Sequence, residues 1–340
     1  MITPGDISVF PIQEDWVKGG LDYALRSWSM TFNRLGRNNM YSRLSKIIVG
    51  VVAEHATRHA LSKNRIQHDI SGATEWYAVD RYDIRVADKP IDIKSIFLDR
   101  SNVHQMRKLA REGAIDDLRK SIPQFTALVP ADQFNSASAK KRAGRDKLYI
   151  FPVVDADSNP ADGHRAVCHL MWDYRWLKKA SHKDDPSLGK LTVASKRGGK
   201  IRIIGTSAKN TIATEDIVVS SEPRTTQKSY WQVFAIQLIS PSPIDLTIRS
   251  ETRRLTEKLR PQLGFAIEPK AESPSQNDWS IVGLGSGSVY ISGVASDRQL
   301  RIHGRIYPRF SKDVLQYPDT LIDNWGMPIR KLDPIGVLKK

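Results

Sequence analysis

The chain has 340 residues, 40% apolar and 26% charged, a composition that suits a globular protein with at least one substantial core. Its 52 Lys and Arg against 37 Asp and Glu give a formal net charge of +15, an excess that calls for an anionic partner, nucleic acid first. No apolar run approaches the roughly 20 residues of a membrane helix, and no basic-then-apolar leader follows Met1. Cys168, the only cysteine, excludes an internal disulfide or a multi-cysteine zinc site. A cytoplasmic protein with no membrane partner is the expectation.

In chain order, residues 14–36 predict a helix, with Trp16, Leu21, Ala24, Leu25, Trp28 and Phe32 at helical spacing. Gly36-Arg37-Asn38-Asn39 ends it. A second helix is expected over 41–62 on the stripe Leu44, Ile47, Ile48, Val51 and Val52. Strands follow at 75–79, 82–86 and 91–97, then a polar helix over 102–120. Further strands are expected at 125–129 and 148–154, flanking a small-residue basic loop. The segment 167–180 reads as a connection or short helix. Segments 191–194 and 201–204 read as a hairpin across Ser195-Lys196-Arg197-Gly198-Gly199-Lys200. Composition turns Ser- and Thr-rich over 206–230. Beyond it come a strand at 231–239, a charged helix at 251–259 and β-rich stretches at 281–295 and 300–307.

The chemistry concentrates in Tyr82-Asp83-Ile84-Arg85-Val86-Ala87-Asp88-Lys89-Pro90-Ile91-Asp92-Ile93-Lys94-Ser95. Strand alternation puts Ile84 and Val86 on one face with Asp83 and Arg85 on the other. It likewise sets Ile91 and Ile93 opposite Asp92 and Lys94. With Ala87-Asp88 as a two-residue turn, Asp83 faces Asp92 across the hairpin, and both point the same way. Two converging carboxylates repel unless a proton or cation lies between them. A hard cation such as Mg²⁺ (or Mn²⁺) suits them, and a neighbouring lysine can stabilise charge on a phosphate. Glu54 shares a helical stripe with Ile47, Val51 and Leu61, an expected core-facing position that requires a cationic partner.

The order of a helix-borne Glu, a strand Asp, and Asp-x-Lys on the next strand resembles the PD-(D/E)xK nuclease superfamily. The likeness covers residues 41–155, with Tyr82 in place of the name-giving proline and Asp92 in place of the more frequent glutamate. The resemblance implies a restriction-endonuclease-like α/β core with a central mixed sheet flanked by helices. It also implies Mg²⁺-dependent hydrolysis of DNA, in restriction or another anti-phage system. By this likeness Asp83, Asp92 and Glu54 bind metal and Lys94 is the catalytic lysine, with the Ile93 carbonyl a further candidate ligand. The domain expectation is a helical extension over 1–40, the nuclease domain over 41–210, and a β-rich α+β domain over 211–340 that binds nucleic acid or a partner. Homo-oligomers or other defence proteins are candidate partners.

Other motifs say less. His55 and His59 have zinc-helix spacing, but Glu54 precedes both and no third ligand is evident. Gly283-Leu284-Gly285-Ser286-Gly287-Ser288 lacks the Gly-Lys of a phosphate loop and reads as a turn. Lys140, Lys141, Arg142 and Arg145, and Lys196, Arg197, Lys200 and Arg202, form clusters without acidic residues that suit a phosphate backbone. The helix Arg253–Arg260 interleaves its cations with acids. The aromatic residues from Trp172 to Trp176 suit core packing better than base stacking. Two other readings stand beside the DNA endonuclease: a non-catalytic nucleic-acid-binding protein, and an RNA-processing nuclease with the same metal chemistry.

Overall fold

The computed structural model describes residues 1–32, 40–71, 82–135, 147–158, 164–172, 190–195, 201–206, 211–214, 216–218, 233–238, 246–250 and 280–339. The chain forms two compact units: Met1–Gly20, Ile48–Gly163 and Leu284–Lys340 make the first, Leu21–Ile47 and His164–Gly283 the second. The consecutive domains expected above, 1–40, 41–210 and 211–340, do not coincide with these units. Pairing between strands distant in sequence joins the C-terminal stretch to the first unit, and composition carries no trace of such pairing.

The first unit contains β1 (Ser8–Pro11), β2 (Ile84–Val86), β3 (Lys89–Ile93), β4 (Ile96–Asp99), β5 (Thr126–Pro130) and β6 (Leu148–Ala156). The second contains β7 (His164–Trp172), β8 (Lys190–Ser195), β9 (Ile201–Thr206), β10 (Thr211–Thr214), β11 (Asp216–Val218), β12 (Val233–Leu238) and β13 (Leu246–Ser250), and β14 (Ser280–Leu284) closes it. The chain then supplies β15 (Ser288–Ser296), β16 (Arg305–Tyr307) and β17 (Asn324–Pro328). The helices are α1 (Glu14–Phe32), α2 (Met40–Lys63), α3 (Val103–Arg111), α4 (Leu118–Ser121), α5 (Ala131–Asn135) and α6 (Asp297–His303). The fold is mixed α/β. Among the described residues no helix is long and apolar enough to cross a membrane.

The main sheet of the first unit runs β1-β15-β6-β3-β2, and β4 also pairs with β6. It is mixed: β6 is antiparallel to β15 and parallel to β3 and β4. Strands β3 and β4 follow β6 at one offset, from Ile91↔Leu148 to Ile96↔Val153. The single strand expected over 91–97 is therefore two, interrupted at Lys94-Ser95, although the Lys94 amide still donates to the Ile150 carbonyl at 2.9 Å. A smaller sheet, β16-β17-β5, lies in the same unit. Its outer edge is closed by the buried Gln316, whose amide accepts from Thr126 N at 3.1 Å and donates to Thr126 O at 2.6 Å. The core joins the two sheets through Ile96, Leu98, Phe125, Val129, Tyr149 and Phe151, with Leu109 and Leu300 packed on from the helices.

Several local expectations are corrected. The helix expected over 102–120 is two helices. Asn102 caps the first; Gly113, at φ +64, takes the chain out of it in the left-handed conformation that glycine adopts without strain. Asp117 then caps α4. Residues 164–172 form strand β7, antiparallel to β12, where a connection or helix was the expectation. Strands β8 and β9 do not pair as a hairpin: β8 lies between β11 and β13, and β9 between β10 and β12. The five residues between them are longer than a two-residue hairpin turn, so Gly-Gly fixes no partner here. The stretch 300–307 begins as helix, because Ser296 and Gln299 form a capping box that starts α6.

Candidate active site

The hairpin β2–β3 has the register Ile84↔Ile91, Arg85↔Pro90 and Val86↔Lys89. The next facing positions are Asp83 and Asp92, and the turn is Ala87-Asp88. Both turn residues have positive φ, 46° and 62°, the mirror-image turn whose twist matches that of the paired strands. Ile84, Val86, Ile91 and Ile93 are buried. The opposite face carries Asp83 and Arg85 from β2 and Asp92 from β3, with Lys94 following. Parallel pairing with β6 sets Asp92 level with Tyr149 and brings Lys147, two residues earlier, to the same face.

Asp92 is the electrostatic centre. Its Oδ2 lies 3.4 Å from Lys94 Nζ and 2.5 Å from Lys147 Nζ, and its side chain is 16% exposed. Asp83 Oδ2 accepts the backbone N–H of Ile93 at 2.5 Å, so the Asp83 carboxylate is fastened to the strand that bears Asp92. Tyr149 is buried beneath. Burial first, then a hydrogen bond to Asp297 and the nearby charges of Asp297 and Asp92, push its phenol up, so it remains a neutral hydroxyl donor. Lys147 Nζ stands 5.4 Å from the Tyr149 ring centre.

Arg85, on the same face, turns outward to a surface cluster. Its Nε donates to Asp69 Oδ2 at 2.8 Å and its Nη2 to Ser71 Oγ at 3.0 Å, while Tyr82 Oη is 2.7 Å from Ser71 Oγ. Asp69 also bridges to Arg85 through paired backbone hydrogen bonds, which extends the hairpin by one step. Arg85 and Ser71 hold the Asp69 carboxyl well below the usual carboxylate range.

Glu54 is carried by α2. The core-facing stripe of α2 in the first unit is Ile48, Val52, Ala53, Ala56, Thr57, Ala60 and Leu61. Glu54 lies on its flank, 29% exposed, with Arg58 Nη2 at 3.3 Å. The expected core position is thus corrected by a modest rotation of the helix: Leu61 is buried, but Val51 and Glu54 are only partly so. Among the described residues no three His, Cys, Asp or Glu side chains are grouped as a metal-binding set. The paired aspartates still have the donor chemistry of a magnesium site, since Mg²⁺ is commonly held by one or two carboxylates and completes its shell with water and phosphate. Asp92 already pairs with two ammonium groups, which a divalent ion would have to displace.

The histidines of α2 pack on aromatic rings. His55 stacks on Trp16 with centroids 6.4 Å apart, and His59 meets Phe10 edge-on at 5.0 Å. Gly285-Ser286-Gly287 is a turn between β14 and β15; the Gly285 amide donates to Asp157 O and the Gly287 carbonyl accepts from Ile12 N. A side chain at position 287 would run into the Asp155 carbonyl, which accounts for that glycine without a phosphate. Lys140, Lys141, Arg142, Arg145, Lys196, Arg197 and Lys200 lie outside the described residues. Arg202 falls in β9, opposite Gln237 of β12.

No family model, curated protein or solved structure matches the chain. The site therefore rests on its own residues. Sequence reasoning missed Lys147 and Tyr149, which reach Asp92 only through the pairing of β3 with β6.

Proposed function

We propose that this chain is a Mg²⁺-dependent phosphodiester hydrolase acting on DNA, with Asp83 and Asp92 as its metal-holding carboxylates and Lys94 as its catalytic lysine. The observation that carries the reading is the hairpin register, which sets Asp83 against Asp92 and leaves Lys94 Nζ 3.4 Å from the Asp92 carboxylate. The PD-(D/E)xK resemblance agrees with that arrangement, and a restriction-endonuclease-like core with a role in phage defence follows from the resemblance alone. A bound Mg²⁺ would supply charge stabilisation and a water of lowered pKa. The protein's own part is to hold two carboxylates on one rigid face, exclude bulk water from behind with an apolar layer, and direct the Lys94 ammonium at the phosphate. In the reaction a water gives one proton to solvent, and the resulting hydroxide oxygen forms a new bond to phosphorus. The ester P–O bond breaks with its electron pair going to the departing oxygen, which ends protonated by solvent. The net charge of +15 favours a polyanionic substrate.

The test is incubation of the purified full chain with supercoiled plasmid in Mg²⁺ and in EDTA, beside folded Asp92→Ala and Lys94→Ala variants. Nicked or linear DNA only with wild type and Mg²⁺ is expected. Cleavage that survives EDTA, or that both variants retain, removes the assignment. If DNA stays intact while RNA is cut by the same residues, the RNA-processing reading replaces the DNA one.

A further inference from the structure

Lys147 makes the shortest ion pair with Asp92, at 2.5 Å, yet it lies outside the Asp-x-Lys pattern and arrives from the start of a different strand. Its placement is well supported. The Lys147 carbonyl accepts the Asp297 amide at 2.9 Å, tying its backbone to the start of α6. Its ammonium rests over the Tyr149 ring, and its side chain is 26% exposed, open enough to meet a ligand. The four charged groups Asp83, Asp92, Lys94 and Lys147 sum to zero.

Resting on the nuclease reading above, we infer that Lys147 is a second working cation of the site: it neutralises Asp92 in the resting protein, yields that carboxylate to the divalent ion, and then binds an oxygen of the scissile phosphate. Charge balance supports this. Attack of hydroxide on a phosphodiester passes through a state with two negative charges. Asp83, Asp92 and Lys94 with one divalent ion offer a single net positive charge, and Lys147 brings that to two. A site with two lysines and one divalent ion can thus match the transition state without a second metal. The tether through Tyr149 and Asp297 keeps the ammonium within the site after Asp92 releases it.

Competition at Asp92 gives a readout independent of cleavage. Metal-stripped wild type, Lys147→Met and Lys147→Arg are titrated with Mn²⁺ and followed by electron paramagnetic resonance, with thermal melts to confirm folding. Removing the competing cation should tighten Mn²⁺ binding by about tenfold in Lys147→Met, the effect of one neighbouring charge. The same variant should cleave DNA on the order of 10²-fold more slowly at saturating Mn²⁺. Lys147→Arg should keep near-wild-type Mn²⁺ affinity and recover part of the rate. It decides the question alone if the methionine variant does not fold. Unchanged affinity and rate in Lys147→Met overturn the inference; tighter Mn²⁺ binding with an unchanged rate overturns its phosphate-binding half. If arginine behaves like methionine, Lys147 acts through packing and the inference fails. A wild type that shows the Mn²⁺ competition but cuts no nucleic acid refutes the nuclease reading and leaves the competition at Asp92 standing.

Discussion

Asp83 and Ile93 are joined by a hydrogen bond of 2.5 Å from the Ile93 amide to Asp83 Oδ2. The carboxylate that faces Asp92 therefore also completes the backbone bonding of the strand that carries Asp92. The two roles separate by substitution. Asp83→Asn retains an oxygen acceptor and should fold with nearly wild-type stability, yet lose Mg²⁺-dependent cleavage. Asp83→Ala should in addition lose about 1.5–3 kcal/mol in urea unfolding, the scale of a hydrogen bond to a charged group. Equal stability of the two variants would show that the Ile93 bond contributes nothing.

Metal identity should sort by ion size. Mg²⁺ and Mn²⁺ are expected to support cleavage, whereas Ca²⁺ should permit DNA binding with little turnover because it takes more ligands at longer distance in looser geometry. Gel shifts in Ca²⁺ beside cleavage assays in Mg²⁺ measure both. Cleavage in Ca²⁺ at the Mg²⁺ rate contradicts the assignment.

The hairpin turn carries removable strain. Ala87 and Asp88 have φ of 46° and 62°, a region that costs an L-residue with a Cβ roughly 1–2 kcal/mol. Ala87→Asn with Asp88→Gly suits both positions. The pair should raise stability by about 1 kcal/mol in total. The register, and with it the Asp83–Asp92 pairing, should be unchanged, so cleavage per folded molecule should match wild type. A lowered denaturation midpoint would show that the turn is not of this type.

At the other end of β6 the Arg100 guanidinium grips the Asp155 carboxylate with two hydrogen bonds, 2.9 and 2.6 Å, and Asp155 is only 4% exposed. Arg100 is half-exposed, so Arg100→Ala opens the Asp155 carboxylate to water and should cost about 1.5–3 kcal/mol, the scale of hydrogen bonds to a charged group. Arg100→Ala with Asp155→Asn should recover much of that. Chemical denaturation of the two proteins checks it, and the absence of any recovery would mean that Arg100 acts through its packing.

His55 should give the protein an acid-sensitive limb. Burial lowers its pKa from the ordinary 6.5; the nearby Arg58 lowers it further, and Asp15 opposes them. The unfolded chain then binds a proton more readily than the folded one, so the stabilising contribution is complete above 6.5 and is lost as pH falls from there through the folded-state value. His55→Gln should flatten the stability profile below pH 6.5, as followed by urea midpoints across that range. An unaltered slope would place the acid sensitivity elsewhere.

The sequence by itself determined the hairpin and its register. Period-two alternation is local, and a two-residue turn leaves a single register, so Asp83, Asp92 and Lys94 were legible from a run of about a dozen residues. The long helices α1 and α2 and the strands β5 and β6 were legible for the same reason: each announces itself through spacing within its own span. Tertiary structure alone decided the rest. Gly-Gly could not reveal that β8 and β9 enter different sheets, because strand partners far apart in sequence are chosen by packing and not by the turn. Helical periodicity placed Glu54 near a buried stripe, but the exact rotation of α2 set it on the flank beside Arg58. Lys147 carried no signal as a ligand of Asp92. Only the parallel pairing of β3 with β6, a long-range choice made by burying both strands in one sheet, delivered a second ammonium to that carboxylate.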